Sequence, residues 1–327
     1  MFLRGIVDKI AFVLDLLLSP LILVASLLMK FVRRLGIWRL PVCRTVFERI
    51  GIYPIRDHYY EPLFNYRSHL HHSLRDERNL PGIDMNEEGQ LNWLSQFKYG
   101  DELKKIPRSK TDNTSFYYDN PNFSEGDAEC LYSLIRLCKP SRVIEIGSGF
   151  STVMARAAIK QNQSEDSAYQ CRHICIEPYE MKWLENISEI EVIRQKVEAM
   201  DQQLFLELEE DDILFIDSSH MIRPQSDVLC EYLEILPILK RGVLVHIHDI
   251  FTPRDYLNQW LLNELKLWNE QYLLEGFLSC SQRYEIILAL NYLWYDHRKE
   301  MTEAFPMLTN KESEVVEPRS FWIRSLG

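Results

Sequence analysis

Five carboxylates stand in or just after five short apolar runs: Glu145 in VIEIGSGFST, Glu177 in ICIEPY, Glu198 beyond EVIRQ, Asp217 in LFIDSSH and Asp249 in HIHDIF. Acids at strand ends can face a cationic or hydroxylated ligand, because an ionised carboxylate accepts several hydrogen bonds. They can also hold a hard divalent ion. One acid at a strand–helix junction is ordinarily a cap or a solvated turn; five on successive runs converge on one rim. Beside the first lies a glycine turn, Gly147, Ser148 and Gly149, followed by Ser151 and Thr152. The dinucleotide fingerprint G-x-G-x-x-G has a third glycine where this chain has Thr152. Phosphates would be repelled by the acids, and no lysine follows Gly149 to make a P-loop.

A cationic cofactor suits the same residues. S-adenosylmethionine (SAM) carries a sulfonium and an ammonium. Glu145 and Asp217 are expected near that positive end, Glu177 on the ribose hydroxyls, and Glu198 as a further cofactor-binding acid. Gly147, Ser148 and Gly149 let backbone approach the methionine part, while Ser151 and Thr152 offer hydroxyls. Methyl transfer to a hydroxyl needs a base or a metal to lower the cost of the proton. His220, three residues after Asp217, is the expected base, with His248 as the other candidate. Asp217 and Asp249 are hard oxygen ligands of the kind that take Mg²⁺ or Mn²⁺. A His-x-His-Asp set, His246 to Asp249, also suggests an iron or zinc centre, but its usual companion motifs are absent. His246 is expected to be packed inside its strand. Arg223, Arg254 and Tyr256 are placed where substrate would enter.

These residues must be held by regular elements. RVIEI (142–146), HICI (173–176), EVIRQ (191–195), ILFI (213–216) and VLVHIH (243–248) are short, apolar and not alternating, as strands buried on both faces read. Helices are expected from about Ser124, then over 151–160, 181–187, 201–208, 225–239 and 256–268. Two further runs, YEIILAL (284–290) and SFWIR (320–324), close the pattern, with an inserted helix between them. This is a doubly wound α/β sheet.

EIGSGFST, IEPY, FIDSSH and HDIF, in that order, resemble the successive motifs of the class I SAM-dependent methyltransferases, in the branch that O-methylates small molecules and sugars. The resemblance spans about Phe123 to Leu326 and implies a Rossmann-like sheet of seven strands with the last antiparallel. It also implies, for some members, a divalent metal at the positions of Asp217 and Asp249.

The net charge of -11 argues against a nucleic-acid partner. Seven scattered cysteines without a C-x-x-C pair point to a reducing compartment. The first fifty residues differ from the rest. Ile10 to Met29 is 20 residues with one charge, followed by Lys30, Arg33, Arg34, Arg39, Arg44 and Arg49 against Glu48. That length spans a bilayer, and the basic flank stays cytoplasmic. Asp15 would cost about 2.5–3.5 kcal/mol at mid-membrane. Asp8, Asp15, Ser19, Ser26, Lys30 and Arg33 form one helical stripe. The stripe suits an interfacial helix, a hairpin turning at Pro20 or a helix–helix seam as well as a span, and a buried amphipathic helix of the globular domain is the competing expectation.

The expected organisation is a membrane-associated segment (1–50), a cap or lid (51–122) and a SAM-dependent methyltransferase domain (123–327). The protein would work at the cytoplasmic face of a membrane on a small-molecule or lipid-linked glycan acceptor, with a homo-oligomer compatible. A membrane-anchored, non-catalytic binding or assembly subunit on the same fold is the competing expectation. A metal-dependent hydroxylase or hydrolase using His248, Asp249 and Asp217 is a third.

Overall fold

β-Branched runs with no polar face pair side by side. The computed structural model describes residues 2–58, 61–63, 65–112, 114–179, 181–309 and 317–327, without the side chains of 2–6, 8 and 309. Within it the runs become β1 (Arg142–Ile146), β2 (Arg172–Ile176), β3 (Glu191–Ile193), β4 (Ile213–Ile216) and β5 (Leu244–Ile247). With β6 (Tyr284–Ala289) and β7 (Phe321–Ser325) they form one seven-stranded sheet, ordered β3-β2-β1-β4-β5-β7-β6. Strands β1 to β5 are parallel, and β7 is antiparallel to both neighbours. The expected sheet is the observed one.

Alternation along each strand assigns side chains to two layers. Val143 of β1 joins the layer of helices Asp127–Cys138 and Phe150–Glu165, where Leu131, Leu134, Met154 and Ile159 are buried. Ile144 and Ile146 join the other, with Phe205, Tyr232, Ile235 and Leu274. Each such buried side chain contributes roughly 1.5–3 kcal/mol.

Several helices are shorter than their apolar spacing suggests. Residues 181–187 form only the 3₁₀ turn Lys182–Asn186, entered through a left-handed Met181. The stretch 225–239 changes pitch, from an α turn at Asp227–Cys230 to a π turn at Glu231–Ile235 and a 3₁₀ turn at Leu236–Ile238. Pro237 lies in that last turn and supplies no N–H to continue an α-helix. Between 256 and 268 only the π turn Gln259–Glu264 forms; the longer helix is later, Glu270–Cys280. After β6 come two short helices, Leu290–Asp296 and Arg298–Ala304, and a 3₁₀ turn.

The chain divides into two units, Met1–His71 and His72–Gly327. In the second, residues read from sequence as cap enter the core of the sheet. Leu94, Phe97, Leu103, Phe116 and Tyr118 are buried there. Asn86 and Gln90 complete the hydrogen bonding of β6, at Ile286 O (2.8 Å) and Ala289 N (2.6 Å).

The first unit contains α1 (Phe2–Leu35) and α2 (Pro41–Ile50). Lys9–Leu35 is 27 residues long; its most apolar 18-residue window has a mean hydropathy of 2.4, and none of that window is buried. Pro20 does not turn the chain, so the hairpin expectation is corrected. Proline removes the donor that would reach Leu16 O, and the Ser19 hydroxyl supplies one instead, at 3.1 Å. The Asp8 side chain of the polar stripe lies outside the described residues.

Candidate active site

The strand order reverses between β1 and β4, which opens a crevice at their carboxyl ends. Backbone bonds carry the register past both strands. Gly147 N donates to Ile176 O (3.0 Å) and Asp217 N donates to Ile146 O (2.8 Å). Gly147 is left-handed at φ 80°, and a Cβ there would lie 1.9 Å from the Asp217 carbonyl oxygen. Only glycine lets the β1 turn pass that close. Gly149 differs: its backbone is extended, and a Cβ would meet nothing nearer than 3.7 Å.

A cavity of about 680 Å³ occupies the crevice, within the ~300–1,000 Å³ of small-molecule sites. Gly147, Ser148, Gly149, Ser151, Glu177, Glu198 and Asp217 all line it. Glu177 is steadied by the backbone N–H groups of Tyr179 (2.9 Å) and Ser148 (3.4 Å). Phe150, Tyr179 and Met181 add apolar wall, while Lys196 and Arg223 add two cations. Arg223 was expected near the substrate; Lys196 was not.

Glu145 and Thr152 require correction. Neither lines the cavity, and both are fully buried. Strand alternation turns Glu145 away from the cavity side of β1, like Val143. There it accepts a hydrogen bond from the Thr152 hydroxyl, which itself accepts from Gly149 N (3.1 Å). His173 Nε2 lies 3.2 Å from the other oxygen of Glu145. Glu145 therefore braces the glycine turn from behind instead of facing a ligand. Thr152→Val should break this chain and strand a buried carboxylate, costing about 1–3 kcal/mol of stability. SAM binding should weaken by about tenfold, which calorimetry and thermal melting will read; an unchanged dissociation constant would dismiss the brace.

His220 and His248 also differ from expectation. Both are buried, and neither lines the cavity. His220 Nδ1 is 2.8 Å from Glu270 Oε2, and its Nε2 is 3.3 Å from Asp217 and 3.5 Å from Asp249. Burial disfavours its charge, but these acids prevail and raise its pKa well above the ordinary value. His248 lies between Asp127 (3.6 Å), Asp217 (3.4 Å) and Asp249 (3.5 Å). Burial again opposes charge, yet Asp249 and Asp217 win, and its pKa is pushed up to about 10. The surrounding acids thus favour the protonated form of both rings, which leaves no lone pair for a base. His246 is the packed histidine expected: stacked 4.0 Å from Phe215, bonded to Ser320 Oγ at 2.9 Å, and held neutral by burial.

Asp217 belongs to this cluster and is the acid in it that reaches the cavity. Its side chain is 33% exposed, against 9% for Asp249 and none for Asp127 and Glu270. Partial burial raises its pKa, but the charge of His248 and the hydrogen bond from His220 hold it well below the usual carboxylate range. The backbone of the cluster is strained as well. His220 (φ 58°) and Asp249 (φ 59°) are both left-handed, a cost of about 1–3 kcal/mol each. Asn269 N and Glu270 N bond His220 O and hold it there.

The donor set does not suit Mg²⁺ or Mn²⁺. Asp217, His248 and Asp249 offer atoms within 4.8 Å of one another. However, Arg319 Nε already sits 2.7 Å from Asp249 Oδ1. Asp127, Asp217, Asp249 and Glu270 already face Arg319, His220 and His248, and a divalent ion would have to displace these partners. Sequence reasoning missed Asp127, Glu270 and Arg319. Arg319 had a signal: it directly precedes β7, the neighbour of β5, whose end carries Asp249. Arg254 and Tyr256 are corrected too. Both are buried outside the cavity, Arg254 against Asp296 (3.4 Å) and Tyr295, Tyr256 with its hydroxyl bonded to Gln271 N (3.1 Å).

The raised pKa of His248 ties stability to pH. A histidine titrates near 6.5 when unfolded and, here, near 10 when folded. Its contribution is complete below about 6.5 and disappears as pH climbs through 10. The melting temperature should fall across that window, and His248→Gln should flatten the slope. An identical slope in the variant would exclude this ion pairing.

Residues 144–250 match the profile of a family described as a methyltransferase domain. A protein of Archaeoglobus fulgidus with no characterised role is 29% identical over 180 residues, which is 52% of this chain and 78% of that protein. Among solved structures, one described as a protein-L-isoaspartate O-methyltransferase from Plasmodium falciparum, in complex with S-adenosyl-L-homocysteine, is 18% identical. It covers 51% of this chain and 78% of its own, with a TM-score of 0.26. An apo TDP-rhamnose 3'-O-methyltransferase of calicheamicin biosynthesis is 11% identical over 76% of this chain and 99% of its own, with a TM-score of 0.37.

Proposed function

We propose that this chain, whose residues 144–250 match a methyltransferase-domain family, is a class I SAM-dependent methyltransferase that O-methylates a hydroxyl of a sugar, glycolipid or small metabolite at the cytoplasmic face of a membrane. The observation that carries the chemistry is the cavity where Gly147, Glu177 and Asp217 meet. When bound there, SAM supplies an electrophilic methyl group on a positive sulfur. The glycine turn gives close backbone approach, Glu177 is placed to accept from ribose hydroxyls, and Glu198 extends the acidic wall. Asp217 faces the cavity as an anion under two imidazoliums. It lowers the energy of nearby positive charge and accepts a hydrogen bond from the acceptor hydroxyl, which orients the oxygen for in-line attack. With SAM held there as methyl donor, Asp217 would hold the acceptor O–H in a hydrogen bond while its proton is released to water. We assign no metal to this step, because Arg319 already holds Asp249.

Membrane attachment rests on α1, whose apolar length and trailing Arg33 and Arg34 suit a span with a cytoplasmic exit. It favours an acceptor that is lipid-linked or handled at the membrane. The test is calorimetry with SAM, followed by an acceptor screen in membrane extract with labelled methyl groups, with and without a chelator. Binding and chelator-resistant transfer are expected. Binding without transfer to any acceptor would favour the non-catalytic subunit, and no binding would defeat the enzymatic reading. A chain that stays soluble at full length would defeat the membrane reading alone.

A further inference from the structure

The first unit carries an apolar surface that methyl transfer does not use. At about 100° per residue, Val42, Cys43, Val46, Phe47 and Ile50 of α2 share one arc, with Arg44, Thr45, Glu48 and Arg49 opposite. Cys43 and Phe47 are half-buried, whereas Val42 (76% exposed), Val46 (47%) and Ile50 (65%) face outward. Trp38, 70% exposed, precedes the helix, and Ile52 and Tyr53 follow it, both exposed. Arginines border this surface at positions 34, 39, 44 and 49, against the lone acid Glu48, which is bonded to Arg44 (2.7 Å). The Arg39 guanidinium lies 5.8 Å from the Trp38 ring centre.

An exposed apolar stripe rimmed by arginine, on a chain of net charge -11, calls for an apolar and anionic partner. A bilayer interface supplies both. Tryptophan and tyrosine settle at headgroup depth, and arginines meet anionic lipid phosphates. Position agrees: α2 begins at Pro41, six residues beyond the end of α1 at Leu35. Within the 27-residue span Lys9–Leu35, the 20 residues from Ile10 to Met29 reach about 30 Å at ~1.5 Å per residue, matching a hydrocarbon core of ~30 Å and leaving Lys30 to Leu35 at the headgroups. The chain thus leaves the bilayer where α2 starts. A second copy of the chain fits less well. A 10-residue helix presents far less than the ~800 Å² per partner of a stable interface, and two arginine rims would repel.

We propose that α2, with Trp38, Ile52 and Tyr53, is a second membrane contact that lies along an anionic leaflet. The inference rests on the membrane reading of α1, and the experiment separates the two. The full chain is reconstituted with phosphatidylcholine vesicles, with and without phosphatidylglycerol, some carrying brominated acyl chains. Flotation reports attachment. The emission lost on Trp38→Phe substitution isolates Trp38, and bromine quenches it only at bilayer depth. The expected result is flotation in every case, with the Trp38 emission quenched at least about twofold on phosphatidylglycerol vesicles and spared in a Val42→Glu, Val46→Glu variant that still floats. Flotation with an unquenched Trp38 would overturn the α2 contact and leave α1 standing. Failure to float would overturn both. A detergent-solubilised dimer that the double variant splits would assign the face to a second copy instead.

Discussion

Gly147→Ala is expected to abolish measurable SAM binding, weakening it by at least about 100-fold, or ~3 kcal/mol. Two costs combine. A left-handed φ of 80° strains any L side chain by about 1–2 kcal/mol. The added methyl would also lie 1.9 Å from the Asp217 carbonyl oxygen and 2.8 Å from its carbon. Those atoms are backbone, bonded into the sheet through Ile146, so relief requires moving the end of β4 and Asp217 with it. The melting temperature should fall by roughly 5–10 °C. Gly149→Ala is the matched control: its backbone is extended and its Cβ would make an ordinary contact with Met181. That variant should stay within about threefold of the parent in SAM affinity. Calorimetry on both decides the matter; equal losses would mean that general crowding of the loop, and not the approach of β1 to β4, governs binding.

Asp217→Asn should lower kcat by about 10²–10⁴-fold while leaving the fold intact. The substitution keeps size and hydrogen-bonding reach but removes the one charge of the buried cluster that faces the cavity. A second readout separates electrostatics from shape. SAM is positive at sulfur and S-adenosylhomocysteine is not, so the variant should lose SAM affinity and keep most affinity for the product. If both ligands weaken alike, Asp217 acts by shape; if kcat moves by less than about threefold, it is not the group that handles the acceptor proton.

The glycine turn and the rim acids were readable because each sits next to an apolar run whose composition marks a doubly buried strand. The parallel character of the first five strands follows from the same pattern; the order β3-β2-β1-β4-β5-β7-β6 does not. The side on which an acid projects does not. Glu145 and Asp217 look alike as acids at strand ends, yet Glu145 lies inside its strand and is turned inward to Thr152 and His173, while Asp217 is one step past its strand and open to the cavity. His220 and His248 read as bases because histidine has an unperturbed pKa near neutrality. That reading holds only for a histidine with few neighbours. Asp127 and Glu270, from helices far away in sequence, join Asp217 and Asp249 around the two imidazoles and favour their charged forms, while Arg319 pairs with Asp249.

Local sequence thus determined what is local: the apolar runs and their order, the close turn at Gly147, the candidate acids, and the apolar length of α1 with its arginine flank. Tertiary structure alone decided which acids line the cavity, which histidines are ringed by acids, and that Asp249 pairs with Arg319. Charge state and accessibility depend on every neighbour within a few ångströms, and those neighbours are chosen by how the sheet folds, not by their spacing along the chain.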